Sequence, residues 1–159
     1  MMNLPLTDLY ETDFYAWTQK QADLLRQRDL NNLDLENLIE EIESLGKQDK
    51  RELVSHLKIL IAHLLKWEFQ PTHRSRSWVF TIREQREEIE DLLERSPSLK
   101  PYLSEAIEKA YKRAITLAAK ETGMKLREFP SLVHYTWEAI ENSDFLPGIH
   151  LDSDDDLLD

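Results

Sequence analysis

Three consecutive stretches decide the fold: DLENLIEEIESLGKQ (residues 34–48), SHLKILIAHLLKWEFQP (55–71) and THRSRSWVFTIREQR (72–86). In the first, Leu35, Leu38, Ile39, Ile42 and Leu45 recur at steps of three and four, the period of one helix face. In the second, together with Leu53 just before it, Leu57, Leu60, Ile61, Leu64 and Leu65 form a broader apolar band. Pro71 pushes Gln70 out of helical geometry and ends it. Gly46, between the two, either kinks one helix or stops it; we read it as a C-cap, with Asp49 capping a new helix from Lys50 to Phe69. Two antiparallel helices would follow.

Further helices flank this pair. Thr12 or Asp13 caps a helix running to Arg28, with Phe14, Trp17, Leu24 and Leu25 on one broad face. Ser77 is the expected N-cap of a helix to Arg95 carrying Trp78, Val79, Ile82, Ile89, Leu92 and Leu93. Gln85 interrupts that stripe and is expected to point inward. Ser96-Pro97-Ser98 breaks the chain before a helix ended by Gly123, and a short helix spans Thr136 to Asn142. No segment alternates as a strand does. The expected fold is all-α: a single-domain bundle of four to five main helices over residues 8–147, with a short C-terminal helix. Residues 1–7 read as an extension and 148–159 as an acidic, frayed tail. Trp17, Leu38, Ile42, Leu57, Leu60, Leu64, Trp67, Trp78, Ile82, Ile89 and Ile107 should share one core.

Composition narrows the function. The chain has 159 residues, no cysteine and three glycines. Thiol nucleophiles and thiolate metal sites are therefore excluded, and dinucleotide and phosphate loops lack their glycines. The longest apolar run, Leu57 to Trp67, contains Lys58, His63 and Lys66 and is too short to span a bilayer. A cytoplasmic protein with no membrane partner is expected. A net charge of −11 disfavours general nucleic-acid binding. The exception is Pro71 to Arg86, where Arg74, Arg76, Arg83 and Arg86 face Glu84 alone, a net +3.

His56 and His63 share a helix face seven residues apart, about 10.5 Å, too far to hold one metal together. Neither the i,i+3 Glu–His pair of di-iron bundles nor HExxH is present. No metal or cofactor is expected. His63, within an apolar run, reads as a buried histidine bonded to another helix. With helices 34–46 and 50–69 antiparallel, Asn37, Glu40 and Glu41 would meet His63, Lys66, Trp67, Gln70 and Arg76 in one polar site, Lys66 or Arg76 facing Asp34, Asn37 or Glu41. Arg74, Arg76, Arg83 and Arg86 form a candidate anion patch.

The succession YETDFYAWTQKQADLLR (10–26), DLENLIEEIESLG (34–46), HLLKWEFQP (63–71), RSWVFTIREQR (76–86) and DFLP (144–147) resembles an uncharacterised bacterial family, domain of unknown function 29, common in cyanobacteria. The resemblance covers about Asp8 to Pro147 and implies a compact helical domain. Its segments carry polar positions that packing alone does not need, among them Asp13, Gln21, Glu43, His63 and Gln85. The family's usual Cys-Pro after the fifth helix is replaced by Val133-His134-Tyr135. Two classes of function remain: a binding module for a protein partner, a second copy or an anionic ligand, nucleic acid entering only through Arg74–Arg86; or, as the alternative, a metal-dependent or acid/base enzyme around His63 and Glu40, Glu41 and Glu43.

Overall fold

A computed structural model describes the backbone of residues 6–159 and the side chains from residue 9. Most of the expected 1–7 extension therefore lies outside the described residues. Seven helices follow in order: α1 (Leu6–Thr12), α2 (Phe14–Arg26), α3 (Leu35–Phe69), α4 (Arg76–Arg95), α5 (Leu103–Thr122), α6 (Trp137–Glu141) and α7 (Asp155–Leu158). Short 3-10 turns join most of them, and no strand occurs among the described residues.

The chief correction lies at Gly46. The helix does not stop there; α3 runs unbroken for 35 residues. Every neighbour from Glu40 to Arg51 except Gly46 tolerates a helix, and none is proline. One interior glycine costs only about 1 kcal/mol, less than abandoning the hydrogen bonds of a formed helix. Beyond the adjoining helix itself, no described residue comes within 4 Å of where a Gly46 Cβ would stand.

Other helix ends follow from local chemistry. The Asp13 side chain accepts from the Ala16 amide and starts α2, so the cap expected at Thr12 or Asp13 is Asp13. Ser75, not Ser77, caps α4 by accepting from the Trp78 amide. Pro71 lies in a 3-10 turn just past the end of α3. Gly123 closes α5 at φ 76°, the left-handed conformation that glycine adopts without penalty. Thr136 caps α6 through the Ala139 amide.

The chain divides into two compact units, one extending to Gln48 and the other comprising Asp49–Asp159. In the first, Trp17 and Leu24 are buried, and Tyr10, Phe14 and Trp17 pack ring against ring at 4.9–5.7 Å. In the second, Leu53, Leu57, Leu60, Ile61, Leu64 and Leu65 of α3 meet Ile82, Ile89 and Leu92 of α4. Ala106, Ala110, Ala114 and Ala118 of α5 join that core, their small side chains allowing close approach.

The single expected core is thereby corrected. Trp17 is buried in the first unit, Leu38 and Trp78 are half-buried, and Ile42 is 66% exposed. The tail is also more ordered than expected. Residues 152–158 form a 3-10 turn and α7, and Asp154 is buried.

Continuity at Gly46 has a direct test. Within a helix, Gly46→Ala should raise stability by about 0.5–1 kcal/mol in urea titration. At a left-handed C-cap the same change would lower it, so a loss would restore the break.

Candidate functional site

An unbroken α3 separates the residues expected to meet. Asn37, Glu40 and Glu41 lie in the first unit; His63, Lys66, Trp67, Gln70 and Arg76 lie in the second. Glu41 and His63 are about six turns apart along one helix. The chain reversal at Gly46 on which the expected polar site rested is absent.

Each group has partners within its own unit. Asp34, just before α3, accepts from Trp17 Nε1 at 2.9 Å and from Asn37 Nδ2 at 2.8 Å. Its amide donates to Gln21 Oε1 at 2.9 Å. Tyr10 donates to Glu41 Oε1 at 2.6 Å, a bond that pushes the phenol up to about 12. Asn37, Leu38, Glu41 and Ser44 thus line the half-buried side of α3. Leu35, Ile39, Ile42 and Leu45 turn to solvent and are 52–66% exposed, while Glu36, Glu40 and Glu43 continue the surface beyond them.

In the second unit, His63 Nδ1 bonds the Ile59 carbonyl at 2.9 Å. Its partner is its own helix, not another, and the ring is half-buried. Burial, aided by nearby Lys66, holds its pKa below the ordinary 6.5, against the opposing Ile59 bond. Lys66 pairs with Glu121 of α5 at 2.7 Å and lies over the Trp78 ring at 4.7 Å. That replaces the expected contact with Asp34, Asn37 or Glu41. Gln70 follows the end of α3, its carbonyl accepting from the His73 amide at 3.0 Å. Gln85 does point inward, its Oε1 accepting from His56 Nδ1 at 2.7 Å.

The four patch arginines are engaged by the chain itself. Arg74 stacks on Trp67 with its guanidinium carbon 4.7 Å from the ring, and pairs with Asp154 at 2.7 Å. Arg76 donates to the Asp156 carbonyl and Arg83 to that of Leu158. Buried Arg86 donates at 2.8 Å to the carbonyl of Ile140, an acceptor in the last turn of α6, and to that of Phe145 in the loop beyond it. Desolvation lowers its pKa to about 10, against the opposing charge of nearby Asp144.

Two features were not anticipated. Glu68 Oε2 accepts from Tyr135 and lies 2.9 Å from His134 Nε2; burial first, and then the Glu68 bond, raises the Tyr135 phenol well above its ordinary value. These residues are more than sixty positions apart, and no spacing rule could pair them. A cavity of about 950 Å³ opens beside Arg86, with Leu60, Ile89, Leu93, Trp137 and Ile140 in its wall. Glu87, Glu90, Glu94 and Asp144 also line it. Among the described residues, no three His, Asp or Glu side chains converge as metal ligands would. No described helix is long and apolar enough to cross a membrane.

The family model for Domain of unknown function DUF29 matches residues 9–146. The chain belongs to the DUF29 family. Neither the curated proteins nor the solved structures yield a match. The DUF29 match takes in both units down to α6 and stops before α7. The arginines at 74, 76, 83 and 86 therefore lie inside the DUF29 region, and Asp154 outside it.

His63 has a measurable signature. Its unfolded form protonates as pH falls below about 6.5, while the folded ring resists the proton, so the folded chain loses stability on acidification. His63→Gln should flatten this decline between about pH 6.5 and 5 in urea unfolding. A slope identical to that of the parent chain would contradict the burial assigned to His63.

Proposed function

We propose that this DUF29 chain is a cytoplasmic protein-binding module that docks a cationic amphipathic helix along the first half of α3. The carrying observation is the exposure of Leu35, Ile39, Ile42 and Leu45, all above 50%, on one side of a single helix. Scattered surface leucines need no explanation; four at helical spacing make a contiguous patch. Their spacing of four, three and three residues is what an apolar partner helix needs to interdigitate. Burying each side chain is worth roughly 1.5–3 kcal/mol, enough in sum for micromolar association after binding costs.

Charge selects among occupants. Residues 35–48 hold Glu36, Glu40, Glu41 and Glu43 against Lys47, a net −3. A second copy would set Glu36, Glu40 and Glu43 against the same residues. A partner with lysine or arginine beside its apolar stripe would find complementary charge instead. The enzyme alternative has less support, because the carboxylates it would use and His63 fall in different units.

A synthetic helix of leucine and lysine in heptad order serves as probe. The full chain should bind it, and Ile42→Asp should weaken binding at least about tenfold by calorimetry. Ile42 is exposed, so the substitution should leave stability within about 0.5 kcal/mol. Equal affinity of both chains would refute the docking face. Self-association that Ile42→Asp abolishes would make a second copy the occupant and refute the cationic partner.

A further inference from the structure

The residues after Gly148 lie along a row of arginines. Arg74 Nη1 donates to the Ile149 carbonyl and to Asp154 Oδ2, both at 2.7 Å. Arg76 reaches the Asp156 carbonyl at 3.0 Å through Nη2, and Arg83 that of Leu158 at 2.9 Å. We infer that Arg74, Arg76 and Arg83 form a binding site for an acidic peptide segment, which the chain's own residues 149–158 fill in cis. This site is separate from the apolar face of α3 and does not depend on that reading.

Three observations carry it. First, the recognition is generic in sequence and specific in charge. Arg76 and Arg83 bond main-chain carbonyls, which any peptide offers, and only Asp154 is gripped by its side chain. Residues 149–159 nonetheless hold five aspartates, and the arginines favour acidic chains through their field as well as their bonds.

Second, the tail fits incompletely. Both side chains of the Arg74–Asp154 pair are 2% exposed, yet Arg74 Nη2 and Asp154 Oδ1 have no hydrogen-bond partner among the described residues. An arginine and a carboxylate can share two parallel hydrogen bonds, and here one of the two is unmade. Unmade bonds at a buried pair are costly, so an occupant that squares its carboxylate to Arg74 would be held more firmly. The contacts at Arg76 and Arg83 are exposed and weak, so the strap can peel from its far end.

Third, the two halves fall on opposite sides of the family boundary. The arginines lie within the residues matched by the family, while the tail lies beyond them. The tail's advantage is its tether, which gives it an effective concentration of order millimolar. A separate acidic segment competes once its affinity overcomes that advantage.

Gly148 offers a way to lift the strap without removing a charge. Its φ is 84°, and a Cβ there would stand 3.3 Å from Glu68 Cα and from Arg74 Nη2. Gly148→Ala should therefore loosen the tail. The probe is a fluorescein-labelled peptide with the sequence of residues 149–159, titrated by anisotropy into the full chain. Gly148→Ala and Asp154→Asn should each bind it about tenfold more tightly than the parent chain, as expected if the strap is closed some nine-tenths of the time. Adding Arg74→Gln should abolish the gain. Variants with native helix content that bind no better, or a gain that survives Arg74→Gln, would overturn the proposal. So would tighter binding of a single-stranded oligonucleotide of equal charge by Gly148→Ala, which would make the site one for nucleic acid. If neither variant folds, hydrogen exchange on the parent chain decides. The Leu151 and Asp154 amides, bonded at 2.8 Å to Asp154 Oδ2 and Leu151 O, should exchange several-fold faster with millimolar peptide. Unchanged exchange would overturn the proposal.

Discussion

The structure depends on one constraint, the unbroken hydrogen-bond ladder of α3 across Gly46. Two helices joined by a turn could fold the acidic segment 34–48 over the apolar segment 53–69. One helix cannot. Its two halves find separate partners: Tyr10 for the first, with Trp17 and Gln21 holding Asp34 just before it, and α4 and α5 for the second. The side of the first half that meets these partners is largely polar, carrying Asn37, Glu41 and Ser44. Leu35, Ile39, Ile42 and Leu45 lie further round the helix and are exposed.

Charge is managed locally. Instead of neutralising the basic run with the glutamates of α3, the fold gives each cation a near partner. Lys66 takes Glu121, Arg74 takes Asp154, and Arg86 takes carbonyls near the end of α6. Arg86 shows why: a buried guanidinium must have its donors satisfied, and helix-end carbonyls are acceptors that need partners too. The carboxylates around the neighbouring cavity, Glu87, Glu90, Glu94 and Asp144, line its wall without bonding that guanidinium.

Much of the fold could be read from residues acting on their immediate neighbours. Pro71, Gly123, Thr136 and the inward Gln85 behaved as their local chemistry required. Gly46 did not, because a glycine at a possible C-cap and a glycine inside a helix differ by about 1 kcal/mol, less than tertiary context supplies. The site was less legible for a different reason. His63, Lys66, Trp67, Gln70 and Arg76 do share the second unit, but Asn37, Glu40 and Glu41 were joined to them only through the assumed reversal. Asp154 and the Glu68–Tyr135–His134 contacts bring together residues far apart in sequence, which no periodicity encodes.

What makes the first unit more than a structural appendage is the claim that its apolar face is a docking surface. Amide chemical shifts of the nitrogen-15-labelled full chain, followed while the leucine-lysine helix is added, locate the contact directly. The account predicts shifts confined to residues 35–48 and the α1 and α2 residues that touch them. Shifts concentrated instead on Ile89, Leu93, Trp137 and Ile140 would place the contact in the cavity of the second unit and contradict it.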